Sequence, residues 1–267
     1  MKSTLRFIPG ILLILCSSLL LIHCGGSGTS QSTISGSVVM APVDAADVAV
    51  HVLNADGTLG DTLAVTVTNK EGSFSVTGDF SGPVAVVATL NPSASYRDEA
   101  TGQTVNGDGS ALTTDLPDGA NPGSYVGVNA LTTIAAAHAN AHASEGLAKA
   151  IASASKEIAG EFGIPGVDIT HTKPTDLTVP DAASSNPNAP ETKLGLILAA
   201  ISQVAADPSE VLGMIQEWAQ AFNEGTLNND NAFQGVPIAI VNFANGPQNE
   251  SGFKPDDVGV IPPTPSH

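Results

Sequence analysis

The feature that most restricts the fold of this chain is a change in the period of its apolar residues. Between residues 33 and 105 apolar residues recur at every second position in short runs, as at Val48, Val50 and Val52. This period is typical of strands that bury one face. From residue 129 onward the apolar residues recur every three or four positions, which is typical of amphipathic helices. The chain therefore predicts an α+β fold, with strands first and helices second.

Five short strands are predicted in the first part, and turn-forming residues at 54–57, 70–72 and 81–83 separate several of them. Several strands at this spacing indicate a β-sandwich, which we place at residues 33–105. The apolar residues expected on the buried faces are Ile34, Val38 and Met40; Val48, Val50 and Val52; Leu63, Val65 and Val67; Phe74 and Val76; and Val84, Val86 and Ala88.

Residues 106–128 are rich in Gly, Asp, Asn and Pro, a composition that predicts a linker. A small helical domain is predicted over residues 129–245, followed by an extended tail over residues 246–267. Its helices are expected to begin near Asn129, Ser144, Thr192 and Asp207, and a last helix at Pro237, where a strand is the alternative.

Residues 1–23 have the composition of a secretion signal peptide. Two positive charges, Lys2 and Arg6, precede an apolar run over residues 7–22. That run is slightly short for a membrane span, which needs about 20 residues. Cleavage after residue 23 would remove Cys16 and leave Cys24 as the sole thiol, so the mature chain could form no internal disulfide.

Leu21-Ile22-His23-Cys24 resembles a lipobox, the site at which bacterial lipoproteins are acylated and cleaved, with His23 where that site usually has a small residue. The resemblance implies lipidation at Cys24 and a flexible tether over residues 24–32. Gly25 after the cysteine is similar to the pattern that favours the outer membrane. An uncleaved anchor and ordinary signal cleavage near Gly28 are the alternatives.

Three segments of the β-rich part form an ordered series: Ile34-Ser35-Gly36-Ser37-Val38, Ala49-Val50-His51-Val52 and Thr68-Asn69-Lys70-Glu71-Gly72-Ser73-Phe74-Ser75-Val76. This series resembles carboxypeptidase regulatory-like modules, which are transthyretin-like, Ig-like β-sandwiches. A further segment, residues 96–102 with the sequence Tyr-Arg-Asp-Glu-Ala-Thr-Gly, is similar to one that recurs in bacterial lipoproteins carrying such a module. The resemblance implies a structural or binding module and no catalysis.

The charge balance argues against one class of partner. The formal net charge is −17 at pH 7, and loss of Lys2 and Arg6 with the signal peptide would make it about −19. Nucleic-acid binding needs clustered Lys and Arg, so a nucleic-acid partner is not expected. The membrane is expected to be reached through the lipid at Cys24 and not through charge.

The sharpest candidate for chemistry is a pair of histidines, His138 and His142, four residues apart on one predicted helix face. Zinc proteases use this spacing. The glutamate that serves as general base in such helices is absent here, and a third ligand would have to come from Glu145, His171 or elsewhere. The alternative is that both histidines line a helix–helix contact.

No phosphate-binding, dinucleotide-binding or nucleophile-elbow motif is present, and no cofactor is expected. Trp218 lies on an apolar stripe and is predicted to be in the core. We therefore expect a non-enzymatic envelope lipoprotein that binds a protein or polysaccharide partner. The alternatives are a metal-dependent envelope hydrolase that uses His138 and His142, and a carbohydrate-binding module.

Overall fold

The computed structural model describes residues 31–205 and 207–254 and shows an α+β fold. The predicted signal peptide, Cys24 and residues 255–267 of the predicted tail lie outside the described residues. The strands are β1 Ser32–Val39, β2 Asp47–Leu53, β3 Leu59–Val67, β4 Ser73–Gly78, β5 Val84–Thr89, β6 Ser95–Arg97, β7 Thr104–Asn106, β8 Ala111–Leu116 and β9 Val126–Asn129. The helices are α1 Ala130–Ala141, α2 Leu147–Glu161, α3 Pro190–Val204, α4 Val211–Asn223 and α5 Asn231–Asn245.

Two sheets form most of the β-rich part. Strands β3, β2, β5 and β8 make a four-stranded antiparallel sheet in that order. Strands β4, β1 and β9 make a three-stranded sheet in which β1 and β9 run parallel, and β6 and β7 form a separate short hairpin. Both larger sheets place side chains in one core, for example Ile34 from β1 and Val50 from β2. The strands predicted at β1, β2, β4 and β5 are confirmed.

Strand β3 is present, but its apolar side chains point the other way from the prediction. Val65 lies opposite Ala49, and Ala64 lies opposite the buried Val50, so Ala64 faces the core and Val65 faces away. Val65 is accordingly 70% exposed, and Leu63 and Val67 are exposed with it. The reason is register: β3 is an edge strand whose pairing with β2, and not its own hydrophobicity, decides which face is buried.

The segment predicted as a linker, residues 106–128, contains two strands. Strand β8 pairs with β5 along its whole length, and β9 pairs with β1 from the other sheet. Leu112 and Leu116 of β8 and Val126 and Val128 of β9 are buried. The Gly- and Asp-rich residues form the turns around these strands, so the β-rich part extends to Asn129 and not to the predicted boundary at residue 105.

Helix α1 follows β9 without a connecting loop, because Asn129 ends the strand and caps the helix. Its Oδ1 accepts hydrogen bonds from the backbone N–H groups of Leu131 and Thr132, at 2.9 and 3.1 Å. Thr132 Oγ1 in turn accepts a bond from the Asn129 N–H, which completes a capping box. The strands and helices share one continuous apolar core, so the two parts are packed together and not joined by a spacer.

Helix α5 begins earlier than predicted, at Asn231 and not at Pro237, which lies inside it. Asp230 caps it by accepting a hydrogen bond from the Phe233 N–H at 2.8 Å. An interior proline removes one helical hydrogen bond, but burial of Phe233, Val236 and Ile240 keeps the helix in place. The first residues of the predicted tail also pack, since Ser251 and Phe253 are buried.

Candidate ligand cleft

An open cleft of about 550 Å³ lies beside the end of β8. Helix α2 forms one wall and residues 165–171, which follow that helix, form the other. Pro117, Ile151, Ala152, Pro165 and Val167 give the cleft a mainly apolar lining. Cavities of this size and character, with a few polar groups, are typical of small-molecule sites.

Asp115 is the buried polar group of this cleft. It is on β8, it is only 5% exposed, and neither carboxyl oxygen has a hydrogen-bond partner within the described residues. Burial raises the pKa of Asp115 to about 7. The Asn140 side chain opposes part of this rise, although it does not reach hydrogen-bond geometry with either oxygen. A buried acceptor without a donor is unfavourable, so a donor in the cleft would be held strongly.

A second, much smaller void lies behind Asp115, between β8 and α1. Its volume is about 10 Å³, close to the minimum for one water molecule. Ala135, Ala136 and Ala139 present only methyl groups to it, which lets α1 pack closely against the strand. Asp115 therefore stands between a closed side, where helix α1 packs, and an open side, where a ligand could enter.

His171 and Asp168 form an ion pair at the rim of the cleft. His171 Nδ1 lies 2.9 Å from Asp168 Oδ2, and Asp168 Oδ1 accepts bonds from the N–H groups of Thr170 and His171. The hydrogen bond to Asp168 is the main cause that raises the pKa of His171, and the same bond lowers the pKa of Asp168. The backbone carbonyl of Pro122 makes a smaller contribution that also raises the pKa of His171. The pair fixes the His171 ring through its Nδ1, against a carboxylate that also accepts from two backbone N–H groups of the same turn.

This arrangement makes a prediction about titration. In wild-type protein the His171 ring proton, followed by NMR, is expected to titrate above the ordinary histidine range, and Asp168→Asn is expected to return it toward that range. The sign follows from linkage: a raised histidine pKa stabilises the fold at low pH, and this contribution disappears as the pH rises through that pKa. Identical His171 titrations in the two proteins would contradict this arrangement.

The predicted metal pair is engaged in contacts within the protein. His138 is 16% exposed; its Nδ1 lies 2.6 Å from Asn223 Oδ1 and its Nε2 lies 3.3 Å from Glu157 Oε2. His142 Nδ1 lies 3.0 Å from the His138 carbonyl oxygen. The two rings are 4.3 Å apart, and the His138 ring meets Phe222 edge-on at 4.6 Å. These contacts match the alternative reading, in which the histidines join α1 to α2 and α4.

Within residues 31–205 and 207–254 no group of three or more His, Cys, Asp or Glu side chains could hold a metal ion. His171, one proposed third ligand, is paired with Asp168 at the cleft. Trp218 is fully buried against Phe162 and Phe233, as predicted, so it offers no aromatic platform for a sugar ring.

Asp115 was not among the candidates from the sequence. Its local sequence, Thr113-Thr114-Asp115-Leu116, resembles any turn-proximal segment, and its segment was predicted to be a linker. The available signal was the pair Leu112 and Leu116, which on a strand would have placed an acidic residue beside buried neighbours. Only the packing of helices α1 and α2 against β8 shows that the acid is buried.

The comparisons with known proteins add no family to this description. No protein-family model, curated protein or solved structure matches the chain. Among the described helices none is long and apolar enough by itself to cross a membrane, although α3 together with the segment Pro208–Asn223, across a bend of 112°, reaches that length and composition. The chain is thus defined by its α+β fold and its cleft.

Proposed function

We propose that this protein is a lipid-anchored lipoprotein of the cell envelope that acts as a non-enzymatic binding module. Cys24 would carry the lipid, and the outer membrane, on its periplasmic or outer face, would be its location. The signal-like residues 1–23 and the lipobox-like residues before Cys24 support this proposal. The partner class is a component of the envelope, whether a protein, a polysaccharide or a smaller molecule bound to either.

The β-rich part would be the Ig-like, transthyretin-like sandwich that the resemblance implies. What supports this finer assignment is that a three-stranded and a four-stranded sheet contribute side chains to one core. A rigid support of this kind suits a binding module, because it holds the end of β8 and therefore Asp115 in place.

The observation that carries the binding role is the unpartnered carboxyl of Asp115 beside the apolar cleft. The complement of such a site is a mainly apolar group with one hydrogen-bond donor. The apolar part would displace water from Ile151 and Val167, and the donor would satisfy Asp115. The site would therefore select ligands that are mainly apolar and carry one hydrogen-bond donor.

Metabolic labelling with palmitate tests the anchor. Wild-type protein is expected to incorporate the label and Cys24→Ser to lose it, because the acyl chains would be attached at that residue. Cys16→Ser is the matched control, since Cys16 would leave with the signal peptide and its loss should leave labelling unchanged. Unlabelled wild-type protein would overturn the anchored proposal and leave a secreted or signal-anchored protein.

Indole is a suitable probe for the cleft, because it is an apolar ring system with one N–H donor. We expect indole to bind the purified protein, as measured by ligand-observed NMR, and 1-methylindole to bind about tenfold more weakly because it has no donor. Ala152→Trp should fill the cleft and abolish binding, whereas Ala148→Trp, one turn earlier on α2 and outside the cleft, should not. Equal binding of the two probes, or indole binding that survives Ala152→Trp, would count against the site.

A further inference from the structure

A second cavity, of about 260 Å³, lies on a different part of the molecule from the cleft. Its walls come from β1, from the turn between β3 and β4, and from residues 173–176 together with α3. Nothing in the proposed function uses this cavity. A larger share of its lining is polar than in the cleft, so it suits a more polar ligand.

Glu99 is the buried acid of the second cavity. It is 3% exposed, and its Oε2 has no hydrogen-bond partner within the described part of the chain. The neighbouring residues hold it there: Asp98 Oδ1 accepts bonds from the N–H and the hydroxyl of Thr101, both at 2.7 Å, and the Gly102 N–H donates to the Asp98 carbonyl. The Asp-Glu-Ala-Thr-Gly run singled out in the sequence is thus a tight turn that carries a buried, unsatisfied carboxyl.

Charged side chains of both signs line the same cavity as Glu99. Lys70 and Glu71 come from the β3–β4 turn, and Lys173 and Asp176 come from the loop between α2 and α3. No ion pair joins these four side chains to one another within residues 31–205 and 207–254. Two cations and two anions that line one cavity without pairing leave charges of both signs available to a ligand.

We propose that the second cavity binds a small zwitterion, a molecule with one ammonium and one carboxylate group, such as a dipeptide. Its carboxylate would lie between Lys70 of the β3–β4 turn and Lys173 of the loop between α2 and α3, which both line the cavity. Its ammonium would donate to Glu99 and Asp176, which gives the buried Oε2 of Glu99 the donor it lacks. The cavity is large enough for two residues of a peptide and too small for a folded partner.

Binding of the zwitterion in this cavity should be accompanied by release of a proton from Glu99, which can be measured. Burial, with Asp176 and Asp98 adding to it, raises the pKa of Glu99 to about 8, so at neutral pH the empty site holds a neutral acid. An ammonium group beside it would favour the carboxylate, and the proton would pass to the buffer. Binding at neutral pH should therefore release up to about one proton per site.

The test is calorimetric titration of the purified full chain with L-alanyl-L-alanine, in buffers of different ionisation enthalpy. The dipeptide is expected to bind with proton release. N-acetyl-L-alanyl-L-alanine and L-alanyl-L-alanine amide, which each lack one charge, should bind about tenfold more weakly or not at all. No binding of the dipeptide at millimolar concentration, or equal binding of either capped form, would overturn the proposal.

Substitutions of Lys70, Lys173 and Glu99 test which side chains contact the dipeptide. Lys70→Met/Lys173→Met should abolish binding of the dipeptide, and Glu99→Gln should weaken it about tenfold and remove the proton release. Lys149→Met, an exposed lysine of α2 outside both cavities, is the matched control and should bind as wild type does. Circular dichroism establishes that each variant is folded. Wild-type affinity in the folded double lysine variant would show that the second cavity is not the site.

Discussion

At about pH 8 the protein is expected to be several kcal/mol less stable than at about pH 5. The cause is a pair of buried carboxyl groups, Asp115 and Glu99, each with at least one oxygen that has no hydrogen-bond partner within the described residues. Burial raises their pKa values to about 7 and about 8, from ordinary values of 3.8 and 4.5. Most proteins have paired carboxylates and lose stability in acid, so this protein should behave in the opposite way over this range.

The direction follows from proton counting. Between about pH 4 and the raised pKa values, the folded chain keeps protons on Asp115 and Glu99 that the unfolded chain has released. Unfolding therefore releases protons, and a higher pH favours it. Each pKa unit of difference corresponds to about 1.4 kcal/mol, so each group could contribute roughly 4 kcal/mol at full effect. His171, whose pKa is raised by Asp168, adds a loss of the same sign as the pH rises.

Urea unfolding followed by far-ultraviolet circular dichroism at a series of pH values measures this effect. Asp115→Asn and Glu99→Gln each remove one ionisable group and should each flatten part of the pH dependence. Asp61→Asn, which removes an exposed carboxylate on β3, is the control and should leave the curve unchanged. Stability that stays constant or rises between about pH 5 and about pH 8 would contradict the prediction.

The parts of the fold that follow from local pattern were predictable. Strands β1, β2, β4 and β5 each alternate over their own length, and helices α1 to α4 each carry an apolar stripe of helical period. Asp207 could be recognised from the sequence because a capping side chain acts on N–H groups two or three residues away; it caps the 3-10 turn Pro208–Glu210 that leads into α4. These signals lie within single segments and need no partner.

The parts that were not predicted depend on contacts between distant segments. Strands β8 and β9 are short and surrounded by Gly and Asp, and only pairing with β5 and β1 makes them strands. The outward direction of Val65 is likewise decided by the register with β2. Alternation of apolar and polar residues predicts a strand with two different faces. It does not predict which face the rest of the molecule buries.

The candidate sites, like strands β8 and β9, depend on contacts between segments that are distant in the sequence. Asp115 and Glu99 are ordinary acidic residues in the sequence, and their chemistry comes from burial by residues far along the chain. Glu99 lines a cavity with Lys173 and Asp176, more than 70 residues away. The histidine pair was the more visible motif, yet Asn223 and Glu157 bond to His138 and connect helices there. Motif spacing identifies residues that could act together, and packing decides which of them are free.

Trp218→Ala is expected to lower the free energy of unfolding by about 3–5 kcal/mol, the usual range for removing a buried aromatic side chain. Trp218 is fully buried, and its ring lies 5.9 Å from that of Phe162 and 5.7 Å from that of Phe233. These three rings join α4, α5 and Phe162, the residue that follows α2, so the cavity left by the substitution would open between these helices. Little else could fill it, because the surrounding side chains come from three separate helices.

Trp218 also has a polar role, and Trp218→Phe separates the two contributions. The indole Nε1–H donates to Asp230 Oδ1 at 3.1 Å, and the same oxygen caps α5 through the Phe233 N–H. Phenylalanine retains most of the apolar volume and removes this bond, so Trp218→Phe should destabilise the protein by about 1–2 kcal/mol. Urea unfolding followed by circular dichroism gives both values. Because strands and helices share one core, Trp218→Ala should still unfold in a single transition, and loss of the helical signal before the β-sheet signal would show that the two parts are independent.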